Sequence, residues 1–474
     1  MNKFGKVILS FSLLLSSSAF AERVRLLAKD SDALQARVDL IQQAKKEIQV
    51  EYFSVWNDDE SIGGFALLLD AAQRGIQVKV IMDSLSNTVP KAVFSALLEK
   101  GKDSKGNQNL EIRVYNPISL KLSQATHRDH AKMLIVDGAS PENGRMIIGG
   151  RNVGDKYFGL NPGRNFRDMD VLLDGDVVQT AQANFFRVWD SGVAKEPALY
   201  EFDAKKLQVG ACMPSLDDYD GCERTRANAL KIYDQEIVRI REMMRRIFEG
   251  APSLKVQTQT HFDWLSNLPT DTQVKFLSQD PDGLVSKETA TMSEELKVLA
   301  GKTQTDINII SPYLIPTPGL IEVFEKLLAR QVRVRIITNS MKSTDNLFAQ
   351  AGYLKAKAKL IQMGVEIYEY QGPDTAHAKV AVIDGHIALV GTYNLDPRSG
   401  FVNREVGVAI MKTSGNYLAR QLTEQIDFFR ENSLLVGKDG QAQNLDKQET
   451  GVSSTKKALV KALMLIFPLI KNQI

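Results

Sequence analysis

Cysteine and histidine are scarce in this chain, which has two cysteines and five histidines among 474 residues. Cys212 and Cys222 allow at most one disulfide, and they would form it in an oxidising compartment. No histidine lies between these cysteines and no partner ligands lie nearby, so the ligand set of a structural zinc site is missing. The sequence therefore predicts a Cys212–Cys222 disulfide, no metal and no cofactor.

An excess of charge of one sign is also missing. The chain has 59 basic and 57 acidic residues, and without Lys3 and Lys6 the balance is 59 − 2 = 57 against 57. Proteins that bind polyanions along their length need a basic surface, so nucleic acid is not an expected partner. The 43% of hydrophobic residues suffice for the cores of two to three domains.

Long hydrophobic runs are absent, and the two short ones lie near the ends of the chain. Lys3 and Lys6 precede an apolar stretch, and Ala19-Phe20-Ala21 has the form of a cleavage site. This order is typical of a secretory signal over residues 1–21, which predicts export to the periplasm or beyond. An uncleaved N-terminal anchor is the alternative, although the apolar stretch is too short to span a bilayer easily.

At the other end, a polar linker over residues 437–455 is followed by a basic, apolar helix that begins near Lys456. The apolar part, residues 458–470, is too short for a comfortable membrane span. Such a helix suits the membrane interface, with its lysines at anionic headgroups, which would make the protein peripherally membrane-associated. Docking of the helix on the protein itself explains the pattern equally well.

One motif, H-x-K-x4-D, occurs twice, 247 positions apart. Each copy lies in an apolar run that predicts a buried strand, and histidine and lysine two positions apart project from one face of a strand. A nucleophile or acid beside a fixed cation suits chemistry on a phosphate. The two copies are His130, Lys132 and Asp137, and His377, Lys379 and Asp384.

The sequence around the motifs repeats as well. Gly149-Gly150-Arg151-Asn152 aligns with Gly391-Thr392-Tyr393-Asn394, and residues 166–171 align with residues 403–408, which pairs Asp168 with Glu405. Earlier strands repeat in the same order, as Ile48 with Ile307 (307 − 48 = 259) and Glu111 with Glu366 (366 − 111 = 255). Nearly constant offsets predict two homologous halves with the reacting groups divided between them.

These paired motifs resemble those of the phospholipase D superfamily, and the second set, Gly391 to Ser399, is similar to the bacterial cardiolipin synthase branch. The resemblance implies an α/β fold of two phospholipase D-like domains, each a mixed β-sheet flanked by helices, with the active site at their interface. We expect a signal peptide (1–21), a first domain (22–203), a helical connector with the cysteines (204–255), a second domain (256–436) and a C-terminal linker and helix (437–474).

The resemblance also implies roles for the motif residues. His130 would attack phosphorus and His377 would act as acid and base, or the two would exchange roles. Lys132 and Lys379, with Asn152 and Asn394, would bind the phosphate oxygens. Asp168 and Glu405 would each orient a histidine ring, although an aspartate stands where the family has glutamate. Asp137 and Asp384 belong to the catalytic motif, but their position at the strand ends favours a structural role.

The leading hypothesis is an exported phospholipase D-type enzyme that cleaves glycerophospholipids at a membrane surface. A cardiolipin synthase-type phosphatidyltransferase is the alternative, because motifs do not report which alcohol resolves the covalent intermediate. A nuclease on the same scaffold fits the neutral charge poorly. A catalytically inactive membrane scaffold would require a broken motif, and both motifs are intact. The sequence does not indicate an oligomeric state.

Overall fold

The structure is a computed structural model, and it describes residues 22–117, 126–198, 242–247, 263–270, 272–280, 292–412, 415–437 and 451–470, together with residues 235 and 238. The predicted signal segment and the Cys212–Cys222 disulfide lie outside the described residues. The predicted domain limits therefore stay predictions.

The first half contains an eight-stranded mixed sheet. Strands β2, β3 and β4 are parallel, and the remaining neighbours pair antiparallel in the order β1-β8-β6-β5-β2-β3-β4-β9. The elements are β1 (Val24–Leu27), α1 (Asp30–Gln43), β2 (Glu47–Tyr52), α2 (Asp59–Gln73), β3 (Gln77–Asp83), α3 (Lys91–Lys100), β4 (Leu110–Tyr115), β5 (Lys132–Val136), β6 (Arg145–Gly149), β7 (Phe166–Arg167), β8 (Asp170–Leu173), α4 (Asp176–Asp190) and β9 (Ala194–Lys195).

The second half repeats this sheet strand by strand, in the order β10-β17-β16-β15-β11-β12-β13-β18. The duplication predicted from the sequence offsets is thus confirmed in the topology. The elements are β10 (Gln273–Gln279), α5 (Met292–Gly301), β11 (Asp306–Ile310), α6 (Pro318–Ala329), β12 (Arg333–Asn339), α7 (Leu347–Met363), β13 (Glu366–Tyr370), β14 (Thr375–Ala376), β15 (Val380–Ile383), β16 (Ile387–Gly391), α8 (Pro397–Phe401), β17 (Glu405–Met411), α9 (Tyr417–Glu431), β18 (Ser433–Leu435) and α10 (Ser454–Ile470).

Within the described part of the chain, three large apolar cores hold these layers together. One lies between the first sheet and α1 and α2, and another between the second sheet and α5, α6 and α7. The third is shared by the inner faces of both sheets, where α4 packs against β10 and α9 packs against β1. Because the halves share a core, they meet along a continuous packed interface. Residues 263–268, on the second-half side of the predicted boundary, pack against the first half through Trp264 and Leu265.

The C-terminal helix α10 is docked on the second half. Its face with Val460, Leu463 and Phe467 is buried, mainly against α7 and the loop before α6. The opposite face exposes Leu459 and Leu465 to solvent, and both are at least 48% exposed. Among the helices of the described residues, none combines the length and apolar character needed to cross a bilayer.

Candidate active site

The two histidines of the motifs lie at the interface between the halves, just before the strands β5 and β15. The sequence predicted them inside those strands, but each motif straddles a strand start. The backbone N–H of His130 donates to the carbonyl of Arg404 (2.9 Å), and that of His377 donates to the carbonyl of Arg167 (2.8 Å). Each histidine is therefore tied through its main chain to the opposite half.

The side chain of each histidine also contacts the opposite half. Nδ1 of His130 lies 3.1 and 3.0 Å from the two carboxylate oxygens of Glu405, and Nδ1 of His377 lies 2.5 Å from Oδ2 of Asp168. A carboxylate at Nδ1 fixes the ring and its tautomer and leaves Nε2 as the reacting nitrogen. Each half thus supplies the histidine for one pair and the carboxylate for the other, as the predicted interface site requires.

Both lysines of the motifs are buried beside the histidines. Nζ of Lys132 donates to the carbonyl oxygen of His130 (2.7 Å) and lies over the ring of Phe53. Nζ of Lys379 donates to the carbonyl of His377 and lies 2.8 Å from its Nδ1. Two ammonium groups at one site form a positive pocket of the kind that stabilises a phosphate in its transition state.

This crowding of cations shifts the pKa values of the site. Burial, followed by the charge of Lys379, lowers the pKa of Lys132 to about 7. Burial and the charge of Lys132 hold the pKa of His130 well below its usual range, and burial and Lys379 lower that of His377. A bound phosphodiester anion would offset these charges and favour protonated lysines.

The two carboxylates differ in charge state. Burial alone would raise the pKa of Asp168, but Lys379 and His377 outweigh it and bring the pKa below its usual range. Burial raises the pKa of Glu405 to about 7, although Lys132 and the hydroxyls of Thr392 and Ser399 oppose the shift. Asp168, the departure from the family pattern, therefore provides an ionised partner for its histidine.

Aromatic rings complete the walls around both imidazoles. Phe53 contacts His130 edge to face, with ring centres 4.9 Å apart. Tyr157 and Phe166 enclose His377 at 5.4 and 5.0 Å. Sequence reasoning missed these three residues, because aromatic residues in a loop or at a strand end carry no signal that separates them from core packing.

The two asparagines stand at equivalent positions in the halves. Nδ2 of Asn152 donates to the hydroxyl of Tyr157 (2.8 Å), and its Oδ1 accepts from the N–H of Ser54. The Oδ1 of Asn394 is buried and has no hydrogen-bond partner among the described residues. Asn152 is thus engaged by protein, whereas Asn394 has an unsatisfied polar atom. Phosphate binding by the two asparagines stays a prediction.

The aspartates of the motifs lie away from the histidines, at the far ends of their strands. Asp137 accepts from the backbone N–H groups of Lys45, Lys46 and Glu47. Asp384 does the same for residues 304–306. Both adopt a φ of 50°, which aspartate tolerates better than most residues. Both cap the first strand of the parallel set and join it to the motif strand, so the structure does not bring them into the site.

A buried ion cluster behind His130 was also missed from the sequence. Arg404 is fully buried and donates to Glu51 (2.6 Å), to Asp280 (2.6 Å) and to Oδ1 of Asn184 (2.6 Å). Glu51 and Asn184 belong to the first half, so the cluster holds the halves together beside Glu405. Its signal was the repeated arginine before the acidic residue, in Arg167 and Arg404, but Arg167 is partly exposed and pairs with Asp374.

Two segments of the chain match one known protein family. Residues 38–189 and 296–428 match the family described as "Cardiolipin synthase, PLD-like domain". The chain belongs to this phospholipase D-like family. The two matched segments coincide with the two halves, and the family is one of enzymes, as the paired histidines indicate.

Relatives of known name cover most of the chain. It is 29% identical over 418 residues to cardiolipin synthase C of Escherichia coli, covering 81% of this chain and 80% of that protein. It is 24% identical over 426 residues to the major cardiolipin synthase of Bacillus subtilis, covering 88% and 70%. The crystal structure of phosphatidylserine synthase from Haemophilus influenzae shares the fold, with a TM-score of 0.64, 16% identity and 95% of each chain covered.

Proposed function

We propose that this protein is a phosphatidyltransferase, which moves the phosphatidyl group of one glycerophospholipid to the hydroxyl of a second lipid. The observation that carries the proposal is the crossed pair of histidines, each bonded at Nδ1 to a carboxylate of the opposite half and flanked by a buried lysine. The named relatives that cover four-fifths of the chain are cardiolipin synthases, which favours transfer over the hydrolysis that we ranked first from the sequence.

In the first step, Nε2 of His130 attacks phosphorus, and the bond from phosphorus to the leaving alcohol breaks. The strongly lowered pKa of His130 keeps its ring neutral, as a nucleophile requires. His377 must be protonated for this step, and the ionised Asp168 at its Nδ1 favours that form; its Nε2 then gives a proton to the departing oxygen. Lys132 and Lys379 stabilise the charge that develops on the phosphoryl oxygens.

In the second step, the roles of acid and base reverse. His377 takes the proton of the acceptor hydroxyl, whose oxygen attacks phosphorus while the bond to Nε2 of His130 breaks. A lipid hydroxyl as acceptor gives a diphosphatidyl product, and water gives phosphatidic acid. Both products arise from one phosphohistidine intermediate, so the acceptor decides between transferase and hydrolase.

The test is incubation of the purified full chain with phosphatidylglycerol alone, followed by separation of the lipids by mass. We expect a cardiolipin product together with released glycerol. Phosphatidic acid as the sole product would replace the transferase by a phospholipase D, and cleavage of single-stranded DNA without lipid turnover would overturn the lipid assignment. The His377→Ala variant serves as the inactive control.

We also propose that helix α10 brings the site to a membrane surface. Its exposed face carries Leu459, Leu465 and Ile466, with Lys457 and Lys461 exposed nearby. Apolar side chains flanked by lysines suit an interface with anionic lipids. The docked face packs against the loop before α6, because Phe467 lies in one cluster with Ile315 and Tyr313. Export of the protein stays a prediction.

Replacing Leu459, Leu465 and Ile466 together by serine tests this contact without disturbing the docked face. We expect at least a several-fold loss of binding to phosphatidylglycerol vesicles and unchanged thermal stability. Leu160→Ser, at a leucine that is 51% exposed on the first half, is the matched control. Equal vesicle binding by the triple variant and the wild type would refute the contact.

A further inference from the structure

The second half contains a large apolar cavity between its sheet and the helices α5 and α6. Its volume is about 330 Å³, within the range of ligand pockets. Concave, mainly apolar pockets of this size are typical of sites for small apolar ligands. The walls are mainly aliphatic and include Leu277, Leu296, Ile309, Val323, Leu327 and Leu389.

One end of this cavity reaches the candidate active site. Lys379, Gly391 and Asp396 line it there, and Nζ of Lys379 lies 2.8 Å from Nδ1 of His377. The lining also includes the hydroxyls of Ser293 and Tyr393, which lie 3.0 Å apart. A ligand that fills the cavity would therefore have a polar end at the lysine and an apolar remainder.

The cavity also reaches the surface. Lys297 and Glu294 line the wall and form an exposed ion pair there (2.7 Å). Phe401 also lines the cavity and is 63% exposed, which places an apolar ring at its edge. An apolar chain can thus enter from the surface and extend past this edge.

The corresponding space in the first half is largely filled. By the internal repeat, Arg151 aligns with Tyr393 and Asp170 with Gly407. Asp170 binds the guanidinium of Arg151 (3.2 Å) and that of Arg37 (2.8 Å), and Arg37 also donates to Tyr52. The cavity beneath the first sheet is only about 80 Å³. The buried ion pairs occupy one half, whereas tyrosine and glycine at the matching positions leave the other half open.

We propose that the cavity of the second half binds a fatty acyl chain of the phospholipid whose phosphorus is attacked by His130. This proposal rests on the proposed function and adds the substrate's apolar portion to it. A glycerophospholipid carries its phosphate and its ester groups at one end of long alkyl chains, which matches a lysine at the mouth of an aliphatic cavity. At about 30 Å³ per small group, the space holds on the order of ten methylenes.

The test shortens the cavity from its distal end. Ala300 lines the wall seven residues beyond Ser293 on helix α5, about 10 Å along the helix axis. In the variant Ala300→Phe, we expect kcat/KM for dioleoyl phosphatidylglycerol to fall by about tenfold or more, because the ring occupies the space for the distal carbons. For dibutanoyl phosphatidylglycerol, whose chains end before Ala300, we expect a change below about twofold.

The first half offers a matched control, since Leu67 lines its small cavity. Leu67→Phe should leave the ratio of the two kcat/KM values unchanged. An unchanged ratio in folded Ala300→Phe would overturn the cavity proposal while the proposed function stands. A wild-type enzyme that turns over neither lipid would instead overturn the proposed function.

A second measurement needs no variant and covers the case in which Ala300→Phe fails to fold. Wild-type protein is irradiated with a phosphatidylglycerol that carries a diazirine at carbon ten of one acyl chain, and the labelled peptides are mapped. We expect the label in α5 and α6. Label confined to α1 and α2, or spread evenly over the surface, would overturn the proposal.

Discussion

The two halves place their histidines at equivalent positions, but one histidine contacts an aspartate and the other a glutamate. Asp168 fits because Gly150 lacks a side chain, and an added Cβ there would overlap with its carboxylate. Thr392, at the matching position of the second half, donates its hydroxyl to Glu405, as does Ser399. Lys379 and His377 bring the pKa of Asp168 below its usual range, whereas burial raises the pKa of Glu405 to about 7 although Lys132 and the two hydroxyls oppose the shift. Two halves of symmetric geometry thus hold their histidines in unequal electrostatic environments, as a nucleophile and an acid need.

Removing either imidazole should have the largest effect. We expect His130→Ala and His377→Ala each to lower kcat by on the order of a thousand-fold or more. A phosphatidyl ester of p-nitrophenol separates the roles, because its leaving group needs no proton. With it, His377→Ala should still release p-nitrophenol in a burst, and His130→Ala should not. His386→Ala, in an exposed turn, is the control, and the reverse burst pattern would exchange the roles.

Replacing each carboxylate by its amide should lower kcat by different factors. We expect Asp168→Asn to lower kcat by about a hundred-fold and Glu405→Gln by about tenfold, because only Asp168 has a pKa lowered by its surroundings. The measurement is single-turnover kinetics with phosphatidylglycerol in micelles, alongside thermal unfolding to check the fold. Equal losses in the two folded variants would contradict the asymmetry.

We expect the pH dependence of kcat/KM to follow the protonation of Glu405. Its pKa is raised to about 7, so it gains a proton as the pH falls below 7 and then no longer accepts the Nδ1–H of His130. We expect kcat/KM to decline on the acid side of pH 7 and to level off about tenfold lower, the loss expected for Glu405→Gln. In Glu405→Gln this limb should disappear. If it persists there unchanged, another group is responsible.

The motif aspartates should affect stability rather than chemistry. Asp137→Ala leaves three backbone N–H groups without their acceptor, and we expect the free energy of unfolding to fall by about 2–3 kcal/mol. Asp384→Ala should cost about 1–2 kcal/mol, because its site is more open to water. Denaturant unfolding measures both. A loss of kcat greater than about tenfold in either folded variant would return these aspartates to the catalytic machinery.

The duplicated motifs predicted the fold class, the interface site and the closeness of His130, Lys132, His377 and Lys379. They could do so because strand alternation and internal repetition are visible in a single sequence. The sequence could not predict that Asp168 contacts His377 and that Glu405 contacts His130, each across the interface. A repeat aligns residues within each half, whereas partners across the interface depend on how the two sheets pack.

The buried Arg404 cluster and the cavity were beyond sequence reasoning for the same physical reason. Arg167 and Arg404 align, yet one is partly exposed and the other is fully buried with Glu51 and Asp280. Burial and filled volume depend on side chains that come from distant segments, and periodicity does not report them.

The backbone bonds from His130 to Arg404 and from His377 to Arg167 have a consequence for the origin of such an enzyme. A single half would hold a histidine without its carboxylate, and two separate copies would have to associate before any turnover. Their activity per chain would fall on dilution. Joining the copies in one chain makes that encounter intramolecular and independent of concentration. In one chain, each copy can also serve as nucleophile or as acid alone. Aspartate can then stand at position 168 and glutamate at position 405, whereas the two copies of a homodimer would carry the same residue.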